Sequence, residues 1–238
     1  MPPTNRPFPR FIADASEETA PYGRWEERLR DRFAAACEPL ASEAGAALDA
    51  GTIRWFPDRA WGGRVYVPAT GRAAEPTTTE DGESVLPEYY GWVSFERTDD
   101  ADLGELTAKA DFTDVTAEEN PDWRIDLNDD VIGAWRTDGN RTGDVTLIWG
   151  LPLVRGAVAA TAELEGELLD QAPVREGRFT LVAVDAIRGF GDDLFVTVRL
   201  WDRRVQQVAA ETLYAEGEDE DEEAEEEGDA EEGDAREG

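Results

Sequence analysis

Residues 52–97 constrain the fold more tightly than any other part of the chain. They read TIRWFPDRAWGGRVYVPATGRA, then a polar insert, then EYYGWVSFER. Their apolar residues fall in short alternating runs broken by Pro and Gly, the pattern of twisted antiparallel strands joined by tight turns. Trp55, Trp61 and Trp92, three of the eight tryptophans in the chain, give the stretch enough bulk to nucleate a core. Gly62-Gly63 can turn the chain at positive φ, which predicts a hairpin returning along RVYVP at 64–68. In the last run Tyr90, Trp92 and Ser94 face one way while Tyr89, Gly91, Val93 and Phe95 face the other. Both faces are bulky, so the strand lies between two layers or turns one aromatic row toward a groove.

The segment before it has a helical period. Tyr22, Trp25, Leu29, Phe33, Cys37 and Leu40 recur at steps of three and four, which places them on one helix face. Glu26 and Arg30 stand at i,i+4 in the favourable order. Pro39 ends or kinks this helix, and the Ala-rich residues 40–50 are expected to form a second short helix closed by Gly51. Residues 1–20 contain four prolines followed by Asp14, Glu17 and Glu18 and read as a flexible arm.

The segment after it reads as more strands. Residues 73–87 are polar and are expected to be a disordered loop insert, with a functional lid as the alternative. A weaker strand spans 106–115. Ile125 and Leu127 alternate with Arg124 and Asp126, as in a half-buried strand. Residues 131–137 and 144–151 flank Asp138-Gly139, a strong hairpin turn. In 157–170 the period of two outranks the helix-forming Ala, Glu and Leu, so one strand is expected. Residues 179–187 and 194–201 are clear β runs, with the linking 188–193 read as a hairpin loop, and 203–214 as a closing strand. The expected fold is therefore α+β, a single domain over 21–215. In it an N-terminal helix or helical hairpin over 21–50 packs on a β-rich part over 52–215, a bent antiparallel sheet or partly open barrel of about seven to nine strands. The tail, 216–238, carries 15 acidic residues and one Arg and is expected to be disordered.

Composition removes whole classes of chemistry. The chain has no histidine and one cysteine, Cys37, so it holds no Cys/His zinc set and no Ser-His-Asp or Cys-His triad. Cys37 lies on the apolar helix face and reads as a small buried hydrophobe. No Walker loop or G-x-G-x-x-G is present, and no cofactor is implied. Asp126, Asn128 and Asp130 have the 1, 3, 5 spacing of a calcium loop, but Val131 stands at position 6 and Thr137 at position 12. They read as solvated turn acids, and no metal ligand is assigned. The net charge is −32, of which the tail supplies −14 and the rest of the chain −18. A body this negative disfavours nucleic acid and anionic membrane surfaces as partners. No apolar span or signal segment is seen, so a cytoplasmic location is expected.

Two functional readings remain. The first is a non-catalytic interaction or accessory protein, its acidic tail solubilising or occupying a partner's basic surface, which leans away from an enzyme. The second is a barrel binding a small molecule or carbohydrate, with carboxylate-based hydrolysis as its chemistry. The candidate binding residues are Trp55, Asp58, Trp61, Arg64, Tyr90 and Trp92, with Asp58 or Glu88 as the acid. A flat aromatic patch rimmed with charge would favour the first reading. A tryptophan-lined pocket holding one carboxylate of raised pKa would favour the second.

Overall fold

The computed structural model describes residues 23–78, 82, 84–96, 103–136, 142–164, 166–184 and 196–213. The arm, the acidic tail, the Asp138-Gly139 turn and the 188–193 loop lie outside the described residues. Helix α1 spans Glu26–Cys37 and buries Leu29, Phe33 and Cys37, each four residues from the last. Glu26 and Glu27 occupy its first turn, where the helix dipole favours negative charge, and Arg30 pairs with Glu26 at 2.9 Å. Pro39 stands in a 3-10 turn, Glu38–Leu40, that closes the helix.

The second helix does not form. Gly45 sits at φ +76°, outside helical space, and the backbone that follows is drawn into the sheet edge. Asp49 N–H donates to the Arg72 carbonyl, Ala74 N–H to the Ala47 carbonyl, and Leu48 bridges Ala73. Tertiary pairing thus overrides the helix propensity of an Ala-rich run.

The first sheet follows the sequence pattern closely. β1 (Arg54–Trp55), β2 (Arg59–Trp61) and β3 (Arg64–Arg72) come first. The insert then forms β4 (Thr77–Thr78) and β5 (Ser84–Val85), a two-stranded pair. β6 (Glu88–Glu96) and β7 (Thr107–Thr113) complete the order β1-β3-β6-β7, with β2 also on β3. Trp61 and Arg64 pair across Gly62-Gly63, both at positive φ, so the predicted hairpin is present. The described part of the insert is therefore not a disordered loop: Ala73 and Val85 are buried, and Ala73 N–H donates to the Pro87 carbonyl.

Two further sheets come from the remaining chain. β8 (Ile125–Arg136) and β9 (Thr142–Pro152) form the expected hairpin, with a bulge at Ile132. β10 (Ala159–Leu164) and β11 (Glu167–Pro173) form another where one strand was expected, because Gly166 at φ +85° turns the chain. β12 (Phe179–Val184) returns to β9, while β13 (Val196–Trp201) pairs with β10 and with the closing strand β14 (Gln207–Thr212). The expected β12–β13 hairpin is thus replaced by a crossing between sheets. The second sheet is β12-β9-β8, the third β11-β10-β13-β14. Among the described residues no strand closes a barrel, and the strands number fourteen rather than about seven to nine, the insert supplying β4 and β5 and Gly166 dividing one expected strand into β10 and β11. No described helix is long and apolar enough to cross a membrane.

The layers stack helix, first sheet, second sheet, third sheet. Alternation fills each gap. Tyr89, Val93 and Phe95 of β6 meet Phe33 and Trp55 under the helix. Tyr66 and Trp92 meet Leu147 and Trp149 of β9 between the first two sheets. Ile148 and Phe179 meet Ala162, Val198 and Leu200 between the last two. Each large side chain fully buried this way contributes about 2–3 kcal/mol. Arginines tie the layers together: Arg59 donates to the Asp170 carboxylate at 2.7 Å and the Thr180 carbonyl at 2.9 Å, and Arg178 to the Trp55 carbonyl at 2.6 Å.

Cys37 is packed inside the helix–sheet core, and burial pushes its thiol up to about 12. The native protein is therefore expected to resist iodoacetamide at about pH 8 and to label fully only after denaturation. Mass spectrometry with and without denaturant checks this, and rapid native labelling would contradict the burial.

Candidate functional site

Between the first and second sheets the aromatic packing stops short of one end, leaving a cleft of about 860 Å³. Two strands supply its walls through their period of two. From β6 come Glu88 and Tyr90, with Trp92 next in the same row at the base. From β8 come Asp126, Asn128 and Asp130. The rows join at the base, where the Trp92 indole Nε1 donates to Asp130 Oδ2 at 2.6 Å and Lys109, opposite Trp92 on β7, pairs with Asp130. Trp149 and Leu151 of β9 add an apolar side, and Tyr90 lies with its ring centroid 6.5 Å from that of Trp149. The connection from β7 to β8 contributes Val115, Glu118 and Trp123 to the mouth, and Arg72 ion-pairs with Glu118.

The electrostatics single out two carboxyls. Glu88 is pushed up to about 7, first by burial, then by the nearby Asp126 carboxylate, against the lowering effect of Arg72 and Arg54. Burial also raises Asp126 above its ordinary value. Neither carboxylate makes a hydrogen bond or ion pair with a described residue. The indole N–H of Trp149, wholly buried, has no hydrogen-bond partner either. Among the described residues no three Cys, Asp or Glu side chains gather as a metal ion would need.

Exposed apolar side chains stand among the polar ones at the mouth. Among the described residues five large hydrophobic side chains are exposed, and four of them, Val115, Trp123, Val131 and Leu153, line this cleft. Exposed apolar residues are ordinary when scattered, but gathered around one concavity they make it the candidate site.

The residues singled out from sequence are spread over the fold. Tyr90 lines the cleft and Trp92 closes its base. Trp55 lies in the helix–sheet core, edge-on to Phe33 with centroids 6.2 Å apart. Trp61 packs half-buried against the aromatic layer, and Asp58 is exposed in the break between β1 and β2. Arg64 is engaged with Ser94, Thr107 and Glu96 along the first sheet. Glu88, named as a candidate acid, lies in the cleft. Asp126, Arg54, Arg72 and Trp149 were not singled out for binding. Asp126, Asn128 and Asp130 are not turn residues but strand residues of β8, so their spacing of two aims them into the cleft rather than around an ion. The alternation of Ile125 and Leu127 with Asp126 already held that signal.

Comparison of the chain with protein-family models, curated proteins and solved structures found no match.

Proposed function

We propose that this protein binds a small polyhydroxylated molecule of the saccharide type in the cleft between its first and second sheets. The observation that carries this is the coincidence in one concavity of the Glu88–Asp126 carboxyl pair, the half-buried Tyr90 ring, and four exposed apolar side chains. Its volume falls in the usual range of small-molecule sites, and a ring flanked by carboxyls suits a ligand with apolar C–H faces and hydroxyl edges. The accessory-protein reading calls for a flat patch. Here the exposed apolar residues ring a hollow, so the small-ligand reading takes precedence.

The test is a titration of neutral and amino-substituted mono- and oligosaccharides against the full chain, followed by tryptophan fluorescence and ligand-observed NMR. Binding that shifts the emission, and weakens about tenfold in Tyr90→Ala with the circular dichroism unchanged, is the expected result. No spectral response across the panel would overturn the proposal. The carboxyl pair also contains the acid and the base that glycoside hydrolysis uses. Turnover of aryl glycosides abolished by Asp126→Asn would make the protein a hydrolase, and binding without turnover would make it a binding protein.

A further inference from the structure

We propose that the ligand of this cleft carries an organic cation, an ammonium group on the hydroxylated skeleton, which Glu88 and Asp126 receive together. The inference rests on the small-ligand reading above and names the ligand's charge. Among the described residues six acidic ones line the cleft, Glu88, Asp111, Glu118, Asp126, Asp129 and Asp130, against three basic ones, Arg54, Arg72 and Lys109. Of these three, Arg72 is committed to Glu118 and Lys109 to Asp130. The cleft is thus short of positive charge where it is deepest in carboxylate. An anionic ligand is repelled, and a neutral one leaves both carboxyls without an ion-pair partner.

A further feature fits the same ligand. The Tyr90 ring, half-buried in the cleft wall, favours an adjacent cation through its quadrupole. An amino sugar or amino alcohol meets the demand of both the carboxyls and the ring.

The sign of the proton linkage separates this ligand from a neutral one. The charged groups acting on Glu88 are Asp126 from β8, Arg72 from β3, Arg54 from β1 and Glu118 from the β7–β8 connection. An ammonium added to this set favours the ionised carboxylate, so binding expels the Glu88 proton, and affinity climbs as pH approaches about 7. A neutral sugar only strips water from Glu88, which holds the proton more firmly and makes affinity fall with pH.

Isothermal titration calorimetry of the full chain with glucosamine, glucose and glucuronate, and with the galactose and mannose counterparts, reads this directly. Measurements at about pH 6 in two buffers of different ionisation enthalpy give the proton count. The expected result is that the amino sugars bind at least about tenfold tighter than the neutral ones, with proton release, and the uronates weakest. In Glu88→Gln the release disappears and the gap between amino and neutral sugars narrows. Equal affinity for amino and neutral sugars, or proton uptake with the amino sugars, overturns the charge assignment and leaves saccharide binding standing. Failure of every sugar to bind overturns both.

Discussion

Gly91→Ala is expected to destabilise the protein by about 3 kcal/mol or more. Gly91 lies mid-strand in β6 at φ +153°, and a Cβ there would stand 2.1 Å from the Lys109 carbonyl oxygen and 2.8 Å from the Ala110 Cα. Both obstacles are backbone, so no side-chain rotation relieves them. β6 and β7 would have to separate, and the ladder that holds Lys109 opposite Trp92, and through it the base of the cleft, would open. For a domain with a total stability of roughly 5–15 kcal/mol this is a large fraction. Gly62→Ala provides the contrast: at φ +56° with no atom within 4 Å of the added methyl, it should cost only about 1–2 kcal/mol. Urea midpoints of the two variants check the difference. A Gly91→Ala protein as stable as the Gly62→Ala one would mean that the two strands do not approach this closely.

The second large effect runs in the opposite direction. Glu88→Gln is expected to stabilise the protein on the order of 2 to 3 kcal/mol at about pH 8 and to leave it nearly unchanged at about pH 4. The folded protein holds the Glu88 carboxyl at about 7, above its ordinary value of 4.5. Below the ordinary value both folded and unfolded chains carry the proton, and the group is neutral to stability. As pH rises the unfolded chain ionises first, so stability is lost progressively up to about 7 and the loss is constant beyond it. Glutamine keeps the shape and removes the charge. Guanidinium unfolding of both proteins at the two pH values makes the comparison. A uniform shift at both, or destabilisation at the higher, would show that Glu88 is ionised comfortably and is not a strained carboxyl.

Such strain is the usual mark of a site where binding outweighs stability. The sequence revealed one half of this cleft and hid the other. Glu88, Tyr90 and Trp92 share a face of a strand whose alternation is unmistakable, so their common direction was legible. Asp126 and Trp149 alternate as cleanly, but alternation reports which face a residue takes and not which strand will lie opposite. Their meeting with Glu88 depends on the pairing of sheets about forty to sixty residues apart, and no local pattern encodes it. The same limit accounts for β12. Its composition marks it as a strand, while its return to β9 past two intervening strands is decided by the apolar areas those sheets bury together. The helix over 40–50 failed for the reverse reason: a local preference was plain, and the sheet edge beside it was a stronger competitor. Gly166 carried a local signal too, a glycine able to take φ +85°, which the period of two masked.

The crossing of β12 between sheets sets the order in which the molecule can be completed during synthesis. The helix and first sheet are contiguous in the chain, from Glu26 to Thr113, and can assemble while the rest is still being made. The other two sheets are interleaved: β8 and β9 belong to the second, β10 and β11 to the third, β12 to the second again, β13 and β14 to the third. Neither can be finished before the other has begun, so everything from Ile125 to Thr212 matures as one late event. Glu88 and Tyr90 therefore wait, exposed on a preformed surface, for Asp126 and Trp149 to be fixed by strands made last. A nascent chain released early carries half of the cleft with nothing opposite it, and the cleft is complete only in the finished protein.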